Sequence, residues 1–279
     1  MWACTGLPNN KLGETNRGAS MQERRIPTIL GAVSAAMDSR NDSEDPIVFM
    51  HGVFFSKALW MDYGSDLTNR THIYIDMPSH GASENVGRNW TLDECGVMLI
   101  EILDCLSINK CVAIGHSWGG MTALRAASRS PDRFAALGLF NMPFKKTTGM
   151  ARVGFAAQKI MTAFPRFYAK QAAKALYSPR FLVENPEYSI QMQDRLAERP
   201  PKEIARTIDA VILNAENTSS LISKLKVPAL AITGRTDYVE APGGIDSHTV
   251  PGGHISPHEA RQETKQAILE VLRYSARSA

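Results

Sequence analysis

A serine, an aspartate and a histidine stand in an order and a setting that acyl transfer by a nucleophilic serine requires. Ser117 lies in Gly115-His116-Ser117-Trp118-Gly119, a G-x-S-x-G pentapeptide that closes a short apolar run from Cys111 and opens a helical pattern. A serine held on a sharp strand-to-helix turn presents its hydroxyl outward, and the strained backbone leaves no room for side chains two positions to either side. Gly115 and Gly119 supply that room. Attack by serine also needs a base, an acid to orient the base, and N–H donors for the oxyanion. Downstream, the apolar run Ala229 to Thr233 ends in Gly234-Arg235-Thr236-Asp237, which puts a carboxylate at the strand edge where open α/β sheets build their sites. Asp237 is the expected acid, with Glu240 as the fallback because the turn is short. Pro251-Gly252-Gly253-His254 then offers His254 as the base. Upstream, the run Ile47 to Met50 leads into His51-Gly52-Val53-Phe54, a turn whose N–H groups can face a substrate carbonyl, with the N–H of Trp118 as the second donor.

The elements that must position these groups follow an alternating pattern. Apolar, β-rich stretches occur at Ile47 to Met50, His72 to Ile75, Cys111 to Ile114, Ala136 to Phe140 and Pro228 to Thr233, with helical patterns between them. Such alternation implies an α/β, doubly wound, mainly parallel sheet with helices on both faces. Thr91 and Glu94 form a capping-box pattern ahead of Leu92, Cys95, Leu99, Leu103 and Leu106 at helical spacing. A helix from about Pro257 to Arg277 follows the histidine. The expected organisation is a disordered extension over 1–25, a core formed by 26–144 and 226–279, and a helical lid inserted over 145–225.

That insertion is rich in cations. From Lys145 to Arg180 it carries eight Lys or Arg and no Asp or Glu. Arg152, Lys159, Arg166, Lys170 and Lys174 share one helical face if Pro165 kinks the helix rather than ending it, and Val153, Ala156, Ile160, Phe164 and Phe167 lie on an adjacent one. One reading is a solvated cationic surface over an apolar underside; the other is a docking face for an anionic headgroup, membrane surface or acidic carrier protein.

The bulk composition excludes other classes. A chain of 279 residues, 44% hydrophobic, can bury a sizeable core, and a net charge of +3 without basic blocks interleaved with aromatics disfavours a nucleic-acid partner. No run of about 18 apolar residues marks a membrane span, and no secretory signal is legible, so the expected setting is cytoplasmic. Cys4, Cys95, Cys105 and Cys111 show no metal-ligand spacing and read as buried, reduced thiols.

Together, His51-Gly52 after a strand, Asp76-Met77-Pro78-Ser79-His80-Gly81-Ala82-Ser83, Gly115 to Gly120, Gly234 to Asp237, and Gly253-His254 with Glu259 resemble the α/β-hydrolase family, in particular its lid-bearing esterases and cofactor-free perhydrolases. The resemblance runs from about Ile26 to the C-terminus. It implies Ser117 as nucleophile, His254 as base, Asp237 as acid, and the N–H groups of Val53 and Trp118 as oxyanion donors, with no metal and no organic cofactor. One departure stands out. Members of that family usually carry a full helix between acid and base, whereas only 17 positions, including Pro242-Gly243-Gly244, separate Asp237 from His254. A strand over about Ser247 to Val250 would then deliver the imidazole.

Other groups receive plainer readings. His51 and His116 flank the site as hydrogen-bonded scaffold bordering the substrate pocket, Phe54 and Trp118 wall that pocket, and His80 belongs to a structural turn. His258 reads as a surface residue. His248 resembles part of an amidohydrolase metal strand, but Val250 stands where a second histidine is needed. The expected activity is hydrolysis of a small-molecule ester through an acyl-serine. A thioesterase or esterase on an anionic carrier or lipid, perhydrolysis, and carbon–carbon cleavage are the enzymatic alternatives, and a catalytically silent ligand receptor is the non-enzymatic one.

Overall fold

Eight strands form one sheet in the computed structural model, which describes residues 21–40, 44–67 and 70–277. Strands β1 (Met21–Thr28) and β2 (Gly31–Asp38) make an antiparallel hairpin at one edge, joined by Gly31 in the left-handed region at φ 91°. They are followed by β3 (Ile47–Met50), β4 (His72–Ile75), β5 (Cys111–His116), β6 (Phe134–Phe140), β7 (Ala229–Gly234) and β8 (Asp246–Val250). The spatial order is β1-β2-β4-β3-β5-β6-β7-β8, with every pair from β4 to β8 parallel. Chain order reverses at β3, which lies between β4 and β5. Ligand sites in open α/β sheets form at such a switch point, outside the C-terminal ends of the strands.

The central strands are continuous apolar runs because both faces are covered. Every residue of β3, β4, β5, β6 and β7 is buried. Two short helices, α1 (Ala58–Met61) and α2 (Gly64–Leu67), connect β3 to β4. Helix α3 (Leu92–Cys105) starts at a complete capping box, in which Thr91 accepts from the Glu94 N–H and Glu94 accepts from the Thr91 N–H. It backs α4 (Trp118–Arg129), which lies on β3, β5 and β6. Phe49, Trp60, Tyr74 and Phe140 form an aromatic cluster at the centre, Phe49 and Tyr74 stacking with centroids 5.2 Å apart. Each such fully buried side chain contributes roughly 2–3 kcal/mol of transfer free energy.

Between β6 and β7 the chain inserts α5 (Gly149–Met161), α6 (Pro165–Leu176), α7 (Pro179–Glu184), α8 (Glu187–Ala197), α9 (Pro201–Ile208), one π-helical turn at Asp209–Leu213, and α10 (Ser219–Ile222). After β8 come α11 (Ser256–Glu259) and α12 (Arg261–Arg277), the latter packed on β5, β6 and β7. Among the described residues no helix is long and apolar enough to cross a membrane.

Three expectations change. Residues 21–25 are not an extension: they pair along β2, anchored by the buried Ile26. Residues 1–20, including Cys4, lie outside the described residues. Pro165 does not kink one long helix but starts α6 at its first turn, where its missing N–H costs nothing. Cys95 and Cys111 are buried and free, whereas Cys105 is only half-buried and is disulfide-bonded, contrary to the reading as a reduced thiol.

Candidate active site

Strand register brings the distant sequence pieces together. Met50 pairs with Gly115, so the turn after β3 emerges beside the turn after β5. Phe140 at the end of β6 pairs with His116 on one side and Ile232 on the other, aligning the exits of β5, β6 and β7. Ser117 sits at the first of these exits with φ 50° and ψ −110°, a left-handed backbone costly for a residue with a Cβ. Its N–H donates to the Phe140 carbonyl at 2.7 Å, which helps to hold the turn. The flanking glycines are obligatory. A Cβ on Gly115 would lie 2.3 Å from the Gly119 carbonyl carbon, and one on Gly119 would lie 2.3 Å from the Met50 carbonyl oxygen.

Ser117, His254 and Asp237 converge. The Ser117 Oγ is 3.1 Å from His254 Nε2, and His254 Nδ1 is 2.9 Å from Asp237 Oδ1. Both the His254 and Asp237 side chains are buried. The missing helix between acid and base is replaced by an irregular loop over 235–245, and β8 still pairs in parallel with β7, Gly234 opposite Val250. A carboxylate this deeply buried must have donors. Besides the imidazole, Asp237 accepts from the Val239 N–H at 3.1 Å and from Asn141 Nδ2 at 2.8 Å. Asn141 in turn accepts from Ser256 Oγ and has φ 50° at the end of β6. Glu240 plays no part in this cluster: it is exposed and pairs with Lys145.

Neither Asn141 nor Tyr238 was singled out from sequence. Asn141 carried a faint signal, being a polar residue where a wholly buried strand meets the sheet's C-terminal edge. Tyr238 carried none. Its ring, 61% exposed, stacks on the His254 imidazole with centroids 4.6 Å apart, and its hydroxyl is 3.3 Å from the same Nε2 that faces Ser117. It therefore covers the base on the solvent side.

The turn after β3 is braced from several directions. His51 donates from Nδ1 to the Gly52 carbonyl at 2.7 Å and accepts the Met77 N–H at Nε2, 2.9 Å away. The Phe54 N–H, on a residue at φ 69°, donates to His80 Nε2 at 3.1 Å. That leaves the N–H groups of Val53 and Trp118 without partners among the described residues. Gly52 allows close approach, since a Cβ there would meet His116 Nδ1 at 2.5 Å and Ser117 Cβ at 3.0 Å. Arg195 of α8 donates to the Phe54 carbonyl at 3.3 Å and lies over the Phe55 ring, and Arg199 just beyond α8 donates to the Phe55 carbonyl at 3.4 Å. Burial lowers the Arg199 guanidinium to about 10.

The buried histidines around the site are held neutral. Burial pushes His51 down to about 4, with the Asp76 carboxylate opposing the shift, and holds His80 and His116 well below the usual imidazole value. His116 donates from Nε2 to the His254 carbonyl at 2.8 Å, so it braces the base through its backbone. His258 is half-buried rather than exposed. It is enclosed by Phe55, Tyr177 and Tyr188, bonds Tyr177 Oη through Nδ1 at 2.7 Å, and is lowered by burial to about 3. Phe55 and His258 also line a cleft of about 320 Å³ between α1 and α8, which none of the three converging residues lines. His248 faces Glu270 at 3.4 Å, and no cluster among the described residues could hold a metal ion. The Trp118 side chain is fully buried against Trp90 and His80, so it packs the interior rather than walling a pocket. Phe54 is buried edge-on against Tyr168.

Comparison with known proteins bears on the family and the fold. The family model described as the alpha/beta hydrolase family matches residues 47–267. The chain is 26% identical over 237 residues to the dihydrolipoyllysine-residue acetyltransferase component of an acetoin cleaving system from Pseudomonas putida, covering 82% of this chain and only 63% of that protein. It is 23% identical over 241 residues to 3-oxoadipate enol-lactonase 2 from Acinetobacter baylyi, covering 81% of this chain and 88% of the other. A thermophilic esterase from Thermogutta terrifontis superposes with a TM-score of 0.79 at 21% identity, over 91% of this chain and 99% of that one. The chain therefore belongs to the α/β-hydrolase family.

Proposed function

We propose that this protein is a serine hydrolase that cleaves carboxylic esters of small molecules through an acyl-serine intermediate. The observation that carries this reading is the unbroken chain of contacts from Ser117 Oγ through the His254 imidazole to the buried Asp237 carboxylate. His254, protonated at Nδ1 toward Asp237, takes the Ser117 proton at Nε2 as Oγ attacks the ester carbonyl. The imidazolium returns that proton to the leaving alcohol, then the neutral ring activates water for deacylation. Asp237 holds the ring and stabilises its charged form. The free N–H groups of Val53 and Trp118 receive the oxyanion, and donors fixed in advance at such a position are worth roughly 3–4 kcal/mol each. Phe54, His51 and His116 border the acyl group or fix the backbone around it, and the inserted helices form the lid.

Relatives named as an esterase and an enol-lactonase support hydrolysis of an ester bond over the other reactions of a serine constellation. An intact triad with a fully bonded acid speaks for an enzyme over a silent receptor. Turnover of a panel of short soluble esters tests the reading. Wild-type protein is expected to hydrolyse at least one of them, and Ser117→Ala, with unchanged circular dichroism, to lose that turnover; a folded Ser117→Ala protein with full activity would refute it.

A further inference from the structure

Helix α5 packs Phe155 and Met161 against the core but leaves a second apolar face outside. Its polar side chains Arg152 and Lys159 point to the protein, where Arg152 bonds the Leu213 carbonyl and Lys159 pairs with Asp209 at 2.7 Å. This second apolar face points to solvent: Met150 is 83% exposed, Val153 59% and Ile160 79%. No residue of α5 is buried. The apolar strip continues through Phe164 and Phe167, 71% and 54% exposed, onto α6. Val153, Ile160, Phe164 and Phe167 are thus not the underside of a cationic surface, and Arg152 and Lys159 turn inward, whereas Arg166, Lys170 and Lys174 stay exposed on α6. The physical reason is that the π-helical turn at Asp209–Leu213 offers a carboxylate and an open carbonyl, which take the two cations inward.

We propose that the outer face of α5 and the start of α6 docks onto an anionic lipid surface. A contiguous apolar patch of this kind marks a surface that spends time out of water. The charges around it select the partner. Phe167, Lys170 and Lys174 share one face of α6, and with Lys146 these exposed lysines make no ion pair among the described residues. Cations flanking an apolar helix face suit anionic headgroups above an acyl boundary. A second copy of this chain fits less well, because a two-fold contact across the patch would bring these unpaired lysines against their own kind. At 13 residues, α5 is about 20 Å long, enough to lie in an interface and too short to span one. The inner side of α6 meets the candidate site: Tyr168 packs on Phe54, and the Leu176 carbonyl accepts the His254 N–H. Docking would therefore place the site next to a store of amphiphilic esters. The proposal stands independently of the catalytic assignments.

Co-sedimentation with vesicles tests it, using phosphatidylcholine alone and phosphatidylcholine mixed with phosphatidylglycerol. Wild-type protein is expected to partition onto the mixed vesicles, with little on the neutral ones. Neutralising Lys146, Lys170 and Lys174 to Gln should weaken partitioning about fivefold per lysine, and Ile160→Ser with Phe164→Ser should reduce it to background. All these residues are exposed, so the variants should fold and keep turnover of a short soluble ester, which separates this outcome from failure of the proposed activity. Raising salt from about 0.1 M to about 1 M, which shrinks the Debye length from about 10 Å to about 3 Å, should release the protein from mixed vesicles. Absence of partitioning at low salt, or partitioning untouched by either set of substitutions, overturns the proposal. So does a wild-type dimer, seen by light scattering, that Phe164→Ser dissociates.

Discussion

Ser117 and His254 reach the same point by unlike routes. Ser117 leaves a central strand buried at every position, with parallel neighbours on both sides and flanking glycines at which a Cβ would lie only 2.3 Å from neighbouring backbone. His254 follows an edge strand whose first four residues are exposed, after a loop in which a Cβ on Gly243 would meet nothing within 4 Å. The nucleophile is placed by packing. The base is placed by a few polar contacts: Asp237, itself held by Asn141, the Leu176 carbonyl on its N–H, and His116 on its carbonyl. A site can thus lose a connecting helix on its acid–base side, where hydrogen bonds take over, but not on the side built from close-packed backbone.

The largest expected effects test whether both routes end in chemistry. His254→Ala and Asp237→Asn should each lower kcat by about 10⁴-fold or more without changing the fold, whereas Glu240→Gln should leave it unchanged. Glycine substitutions then contrast the two sides directly. Gly115→Ala should cost about 3 kcal/mol or more in urea denaturation, and Gly243→Ala should stay within about 0.5 kcal/mol; equal costs would remove the distinction. On the acid–base side, Asn141→Ala should lower kcat about tenfold with little change in KM, because it frees one hydrogen bond to a buried carboxylate. The smallest effect belongs to Tyr238→Phe. It keeps the stacked ring and removes only the long 3.3 Å contact, so kcat should change by less than about threefold, while Tyr238→Ala, which uncovers the imidazole, should cost more.

Acid stability probes the packed side separately. His51 and His72 are lowered by burial to about 4, His258 to about 3, and His80 and His116 also lie below the ordinary 6.5. The unfolded chain then binds more protons than the folded one between these values and 6.5. Stability should be full above pH 6.5 and fall as pH drops toward 4, by at most about 1.4 kcal/mol per pH unit for each histidine. A urea midpoint that stays flat from pH 7 to pH 5 would contradict the neutral, buried state of these rings.

What could be read from the sequence follows the same division. The strand runs, the capping box at Thr91 and the glycine-flanked Ser117 were legible because local backbone demands dictate those residues. Strand β1 was not: Glu23, Arg24 and Arg25 look like an extension, and only pairing with β2 and the buried Ile26 make it a strand. His258 looked like a surface residue because its enclosing aromatics come from distant segments. The orientation of α5 was hidden for the same reason, since Asp209 and the Leu213 carbonyl decide which face turns inward. Asp237 could be preferred over Glu240 from its place at the strand end, but Asn141, which completes its hydrogen bonding, emerged only from the register of β6 beside β7.

The most direct test of an activated Ser117 is covalent labelling by a fluorophosphonate, followed by intact mass and peptide mapping. One phosphonyl adduct on Ser117 is predicted in wild-type protein, absent in Ser117→Ala and strongly slowed in His254→Ala. A folded wild-type protein that takes up no label, or takes it up at another residue, would contradict the claim that the edge-strand histidine activates the central-strand serine.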